Sequence, residues 1–238
     1  MSTLGGACRP LRASGEARNA WAQIIRRDYA IVRDTELGLS PTIRAHFSQN
    51  YFNDTVLEAD HEEIHKDRDR ARDVVRYEWH GNELTLAEHH TVTIENRSGY
   101  VGARDHKRVE LLSDPIAAEW IRVALALVPP DLRKSVGTFG INFFRTRTAV
   151  VSGPHRDGEQ FCLVYVVNKI GGGAETRLHN ADETQQMELR RTLTPGDILF
   201  FSDERYLHDV TSLQAIGATP CQRDAIVCTV NYAHTYPL

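Results

Sequence analysis

From Gly137 to Tyr232 the chain is a succession of short β-rich runs cut by turns, and that pattern leaves few folds open. FGINFF, TAVV, QFCLVYVV, ETRL, RTL, DILFF, LHDV and DAIVCTVNY follow one another closely. Pro195-Gly196 fits the centre of a type II turn, where Pro presets φ and Gly supplies φ > 0. Gly171-Gly172-Gly173 marks another turn. Short strands with tight connections predict a mainly β fold, a jelly roll or barrel.

The N-terminal part has a different rhythm. Trp21, Ile24, Ile25, Tyr29 and Val32 recur at helical spacing, which predicts an amphipathic helix of roughly five turns. LSPTIRAHFSQNYFND reads as a loop with short structure. VVRYEWHGNELTLAEHHTVTIE alternates and predicts two or three strands, with Gly81-Asn82 as a turn. Asp114-Pro115 opens a second helix, Asp as N-cap and Pro at the first helical position, and Pro129-Pro130 ends it. Ile116, Trp120, Val123 and Leu127 are its expected buried stripe. These helices pack outside the β core. Residues 1–14 are expected to be a loose tail and 15–238 a single domain.

Net charge is −4 with a pI of about 6.3, so there is no electrostatic reason to expect nucleic acid. No stretch approaches 18 apolar residues, and the N-terminus lacks the apolar run of a secretory signal. Cys8, Cys162, Cys221 and Cys228 form no C-x-x-C pair and read as reduced thiols of a cytoplasmic protein.

Two segments carry metal-ligand patterns. HEEIH, residues 61–65, has the spacing of a zinc-protease helix. Such a helix must bury one face, yet Ile64 is the only large apolar residue between Leu57 and Val74. The extended metzincin pattern fails at Arg68 and Ala71, which leaves Glu83 or Glu88 as a third ligand. Residues 58–73, rich in both charges, therefore read as a solvated helix or loop. The other segment is GPHRDGEQFCLVYVV. His155 and Asp157, two apart at the entry to a strand, point to one face about 6.5–7 Å apart. An imidazole, a carboxylate and a distant second imidazole make the ligand set of non-heme Fe(II) oxygenases. H-x-D occurs twice, the other instance being His65-Lys66-Asp67, so the dyad needs company. PGDILFFSDERYLHDVTSL supplies it: a turn, an apolar strand, a polar corner and His208. Arg223 follows at the mouth of the last strand, where a guanidinium can grip a carboxylate through two bonds. His89-His90, His179 and His234 lack a partner pattern and read as structural.

The run H-R-D-G, then G-G-x-x-T, then P-G-D-x-L-x-F-x-D-x-R-x-x-H-x-V-T, then R-D resembles the 2-oxoglutarate/Fe(II)-dependent dioxygenases. More narrowly it is similar to the bacterial L-isoleucine 4-hydroxylase type of free amino acid hydroxylase. The resemblance covers about residues 137–232 and implies a double-stranded β-helix, or jelly roll. It implies Fe(II) held by His155, Asp157 and His208, and 2-oxoglutarate paired through its distal carboxylate with Arg223. Similar sequences carry Ser or Thr two residues after that arginine, where this chain has Ala225; Thr229, Thr176 or Tyr165 is the replacement hydroxyl. The implied cosubstrates are 2-oxoglutarate and O2, with ascorbate as reductant in vitro, and the products succinate and CO2. The implied substrate is a small free L-amino acid, aliphatic by preference. Arg145, Arg156 or Arg177 would meet its carboxylate and Glu159 its ammonium. A peptide or carrier-tethered substrate, desaturation or cyclisation, and a non-catalytic jelly-roll binding protein are the alternative readings. Asp157 stands where halogenases leave room for chloride, which disfavours chlorination.

Overall fold

The structure, a computed structural model, describes residues 15–59, 67–89, 108–147, 153–182 and 186–231. The expected tail 1–14, HEEIH, TAVV, His90 and His234 lie outside these residues. Chain order among them is α1 (Gly15–Arg27), β1 (Tyr29–Arg33), α2 (Ile43–Asn50), β2 (Glu58–Ala59), β3 (Arg68–His80), β4 (Glu83–Glu88), α3 (Pro115–Ala126) and β5 (Val136–Thr146). There follow β6 (Phe161–Ile170), β7 (Gly172–Gly173), β8 (Glu175–Asn180), β9 (Met187–Thr192), β10 (Asp197–Ser202), β11 (Tyr206–Val210), β12 (Leu213–Gln214) and β13 (Gln222–Val230). The large sheet runs β1-β10-β6-β13-β5-β3-β2, with β4 beside β3; a smaller sheet runs β11-β8-β9, and β12 pairs with β7. The pairings are antiparallel, the arrangement expected of a jelly roll.

Register explains why two faces of one sheet have different jobs. Side chains directly opposite each other on neighbouring strands share a face, and the face alternates along each strand. One rung reads Asp73–Ile141–Cys228–Leu163–Phe200–Ala30. It is almost wholly apolar and meets the helices. Phe47 of α2 packs edge-on against Trp120 of α3, and Trp120 stacks on Tyr165. The adjacent rung reads Val74–Gly140–Thr229–Cys162–Phe201 and faces the smaller sheet. At Gly140 a Cβ would stand 2.7 Å from Thr229 Oγ1, so only glycine lets these strands sit so close there.

Three expectations change. The first helix stops at Arg27, because Asp28 takes a left-handed φ of 60° and the chain turns into β1. Tyr29 and Val32 belong to that strand, paired with β10, and Ile25 is exposed. The charged stretch 58–73 is not a solvated helix or loop where it is described: 58–59 and 68–73 are strand. Its alternation of Arg and Asp is a two-residue period, masked in a one-dimensional reading by the density of charge. In α3 the buried stripe is Ala117, Trp120, Ile121, Ala124 and Leu125, while Ile116 is exposed and Val123 only partly covered. Small alanines let the helix lie close on the sheet, so the stripe is rotated from the large-residue pattern.

Asp114 does cap α3: its carboxylate accepts from the amides of Ile116 (2.9 Å) and Ala117 (3.4 Å). It also takes His46 Nε2 at 2.5 Å and the Tyr51 hydroxyl at 2.7 Å, tying α2 to α3. Asp114→Ala removes a cap and leaves two half-buried donors unmet, an expected loss of about 2–3 kcal/mol. The check is urea unfolding, where the midpoint should fall at unchanged slope.

Candidate metal centre

His155 and His208, 53 positions apart in sequence number, are held side by side by the backbone. The amide of His155 donates to the carbonyl of His208 (3.1 Å) and the amide of His208 to that of His155 (2.9 Å), an isolated antiparallel bridge. Their rings lie 4.4 Å apart between centroids, tilted by 47°. Asp157 faces both. Its Oδ1 is 3.8 Å from His155 Nε2 and its Oδ2 is 3.6 Å from His208 Nε2. One ligand atom from each residue lies within 4.8 Å of the others, a spacing a single ion can span.

Each group is aimed from behind. Nδ1 of His155 is 3.0 Å from the Gly153 carbonyl, to which it donates; that fixes the tautomer that leaves Nε2 free to ligate. Nδ1 of His208 points at Asp203 Oδ1 across 3.6 Å, an ion-pair distance rather than a hydrogen bond. Asp203 is fully buried and its carboxylate accepts the amides of Asp157 (3.2 Å), Gly158 (2.6 Å) and Glu159 (2.9 Å). Gly158 at φ +83° lets those three amides converge. Burial raises the Asp203 carboxyl, but His208 and the amides outweigh it and hold the group below the usual carboxylate range. Desolvation pulls His208 down, and the neighbouring carboxylates, Asp203 first, more than offset this.

Asp157, Cys162 and Asp203 form a second grouping of potential ligands. It is the weaker one, since burial holds the Cys162 thiol protonated and Asp203 is already saturated by amides. Two imidazoles and one carboxylate within 4.8 Å of one another suit ferrous iron.

Deeper between the sheets lie groups without a protein partner. The Nε of Arg223 is buried with no hydrogen bond, and burial alone pulls that guanidinium down to about 10. Among the described residues no carboxylate is paired with it. Lys169, opposite Arg223 in the register, donates to the Gly173 carbonyl (2.6 Å); burial and Arg223 lower its pKa. Thr176 Oγ1 is likewise buried and unbonded, and its strand position matches that of Leu178, which lines the space between the sheets. Thr229 lies on the Cys162 rung. A buried cation and an unused hydroxyl fit an anionic cosubstrate such as 2-oxoglutarate.

Other residues singled out from sequence are turned elsewhere. Tyr165 lies on the helix-facing side, its hydroxyl donating to Asp34 at 2.9 Å. Arg145 is on that side too, bidentate to Asp224 (2.8 and 3.0 Å) and donating to the Phe52 carbonyl (2.7 Å). Arg177 is bidentate to buried Asp209 (2.7 and 2.8 Å) on the far face of the smaller sheet. Each buried aspartate needs its arginine, so neither guanidinium is available to a substrate. Arg156 is exposed and Glu159 is buried at 3%. Asp203 carried no role in the sequence reading, although it stands in the same run as His208.

None of the curated proteins matches this sequence. Among solved structures, a bsmA homolog from Methylobium petroleophilum PM1 is similar at a TM-score of 0.78 and 20% identity, over 93% of this chain and 96% of that one. IDO from Bacillus thuringiensis gives 0.67 and 14% over 92% and 99%, and the Fe(II)/(alpha)ketoglutarate-dependent dioxygenase TqaL 0.69 and 12% over 94% and 91%. At those identities the likeness speaks for the shared fold. The sequence itself matches the 2OG-Fe dioxygenase model over residues 51–229, which spans the metal centre and most of both sheets, and the chain belongs to the 2OG-Fe dioxygenase family.

Proposed function

We propose that this chain is an Fe(II)/2-oxoglutarate dioxygenase that hydroxylates the side chain of a small free L-amino acid. His155, Asp157 and His208 hold the iron, and Arg223 with Thr176 takes the distal end of 2-oxoglutarate. The observation that carries the reading is the convergence of two imidazoles and a carboxylate within 4.8 Å, each oriented from behind. Bound there, iron with 2-oxoglutarate and O2 supplies the oxidising chemistry: one oxygen atom goes to the substrate C–H bond and one to succinate, with CO2 released. The protein's part is to bind, orient and exclude water. The His155–His208 backbone bridge sets the spacing of the two rings. Arg223 gives up its hydration on folding and recovers interaction only when a carboxylate arrives. The similarity of residues 137–232 to the L-isoleucine 4-hydroxylase type supports a free amino acid as substrate.

The test is a screen of the twenty amino acids with Fe(II), ascorbate and 2-oxoglutarate, reading succinate and a mass gain of one oxygen. Failure of every amino acid to give both would overturn the substrate assignment. Arg223→Leu is expected to raise KM for 2-oxoglutarate roughly 10- to 100-fold, the worth of one or two charge-assisted bonds. Steady-state kinetics at saturating substrate measure it.

A further inference from the structure

The carboxylate of Asp157 stands over an apolar floor. Cys162 lies on the metal's face of the large sheet, in the rung Gly140–Thr229–Cys162–Phe201. The ring of Phe201 supports that of His208, with centroids 5.1 Å apart. Cys162, Phe201 and Leu178 pack in one buried cluster. From that floor the Cys162 thiol donates to Asp157, with Sγ 3.6 Å from Oδ2. Among the described residues no other group donates a hydrogen bond to this carboxylate; its remaining close neighbours are the two ligating Nε2 atoms.

The other support of Asp157 acts on its backbone. Asp203 accepts the amides of residues 157–159 and fixes the path of the chain, but it leaves the Asp157 carboxylate free to turn. That last torsion is soft and roughly two-fold in an aspartate. How the carboxylate is turned decides how many places remain on a bound metal. Two imidazoles and one carboxylate oxygen fill three of the six positions of a ferrous ion and leave three open. A carboxylate that chelates through both oxygens fills four in all with the imidazoles and leaves two. A 2-oxo acid, chelating through its keto oxygen and the adjacent carboxylate, would exhaust those two.

We propose that Cys162 is a positioning residue of this centre: its thiol holds Oδ2 of Asp157, keeps the carboxylate to one-oxygen ligation and so leaves room for the chelating cosubstrate. This rests on the reading above that His155, Asp157 and His208 hold the metal. A thiol suits the task in two ways. It is apolar enough to close the floor against water beside Phe201 and Leu178. It is also a weak donor, so it orients the carboxylate without drawing off the charge that binds a cation, as a charge-assisted N–H or O–H bond would. Its bulk fills the space into which the carboxylate would otherwise turn.

The test needs no turnover. Wild type, Cys162→Ala, Cys162→Ser and Cys228→Ala are titrated calorimetrically with Co(II), and each Co(II) form then with 2-oxoglutarate. The visible spectrum of each Co(II) form is recorded before the second titration. Cys162→Ala is expected to bind Co(II) at least as tightly as wild type, through two carboxylate oxygens, and to show a changed spectrum. Its affinity for 2-oxoglutarate should fall roughly 10-fold. Cys162→Ser keeps a donor at that place and should recover most of both properties. Cys228 is the control: it is fully buried on the opposite face of the same sheet, so Cys228→Ala takes an equal thiol from the core and should leave spectrum and 2-oxoglutarate affinity as they were. A merely structural role predicts that Co(II) and 2-oxoglutarate affinity fall together in Cys162→Ala, or that Cys162→Ser does no better than Cys162→Ala. Either result, or a Cys162→Ala protein that matches wild type, sinks the proposal. The two readings fail separately. A wild type with no Co(II) site, or one that survives Asp157→Ala, removes the metal centre and this proposal with it; a sound site untouched by Cys162→Ala removes the proposal alone.

Discussion

Asp157→Ala is expected to abolish Fe(II)-dependent succinate formation, a loss on the order of 10³-fold or more, because the three ligands act as one unit. The carboxylate is the only anionic donor of the set, and it sits between the Nε2 atoms of two imidazoles at 3.8 and 3.6 Å. Without it the metal keeps two neutral ligands and loses its strongest Coulombic one. His155→Ala and His208→Ala should do the same, and for each variant calorimetric titration with Co(II) should show the loss of tight binding alongside the loss of activity. The contrasting substitution is His61→Ala in HEEIH, which should keep both metal binding and activity. The reverse result, with His61 essential and His155 dispensable, would move the chemistry to that segment and away from His155, Asp157 and His208. The backbone bridge between residues 155 and 208 predicts a further detail. Because amides rather than side chains hold the two segments together, each alanine variant should remain folded, so the loss is read at the metal and not at the fold.

How far the sequence alone reaches depends on what kind of information a residue carries. The convergence of His155, Asp157 and His208 was legible because strand-entry spacing and turn chemistry are local, and Pro195-Gly196 does adopt the turn its residues require, with Gly196 at φ +94°. Asp114-Pro115 was legible for the same reason: a cap is a matter of neighbours. Arg145 and Arg177 were not, since an arginine's partner is chosen across the sheet. Asp224 stands opposite Arg145 only in the folded register, and Asp209 opposite Arg177 likewise. Tyr165 failed by parity. It lies in a run buried on both faces, where neither polarity nor spacing tells which side a hydroxyl takes. The stretch 68–73 failed in the opposite sense. Its charges suggested solvent, yet Ala71 and Asp73 are fully buried and Arg72 nearly so. A strand can bury alternating charges when each sign finds its own face, and that is a property of the sheet rather than of the string.

Asp203→Ala is expected to weaken metal binding by about 10- to 100-fold, the usual effect of removing a group that orients a ligand. It should also cost about 3 kcal/mol of stability, since three amides lose their common acceptor. The two effects have separate origins. The amides of residues 157–159 fix the path of the chain that presents Asp157, whereas Oδ1 near His208 Nδ1 steadies the ring of the other segment. Asp203 thus joins the two ligand-bearing segments from beneath, as the backbone bridge joins them from the side. Asp203→Asn separates these contributions. It keeps one oxygen for the amides but presents an NH2 where the carboxylate's second oxygen was, and it removes the negative charge facing His208. Its stability should fall less than that of the alanine variant, while Co(II) affinity falls nearly as far. Calorimetric titration with Co(II) and urea unfolding of both variants, with and without metal, give the split. Metal affinity that tracks stability across wild type, Asn and Ala would reduce Asp203 to a fold-stabilising residue; affinity lost in the Asn variant at nearly native stability marks a group that positions the metal's histidine.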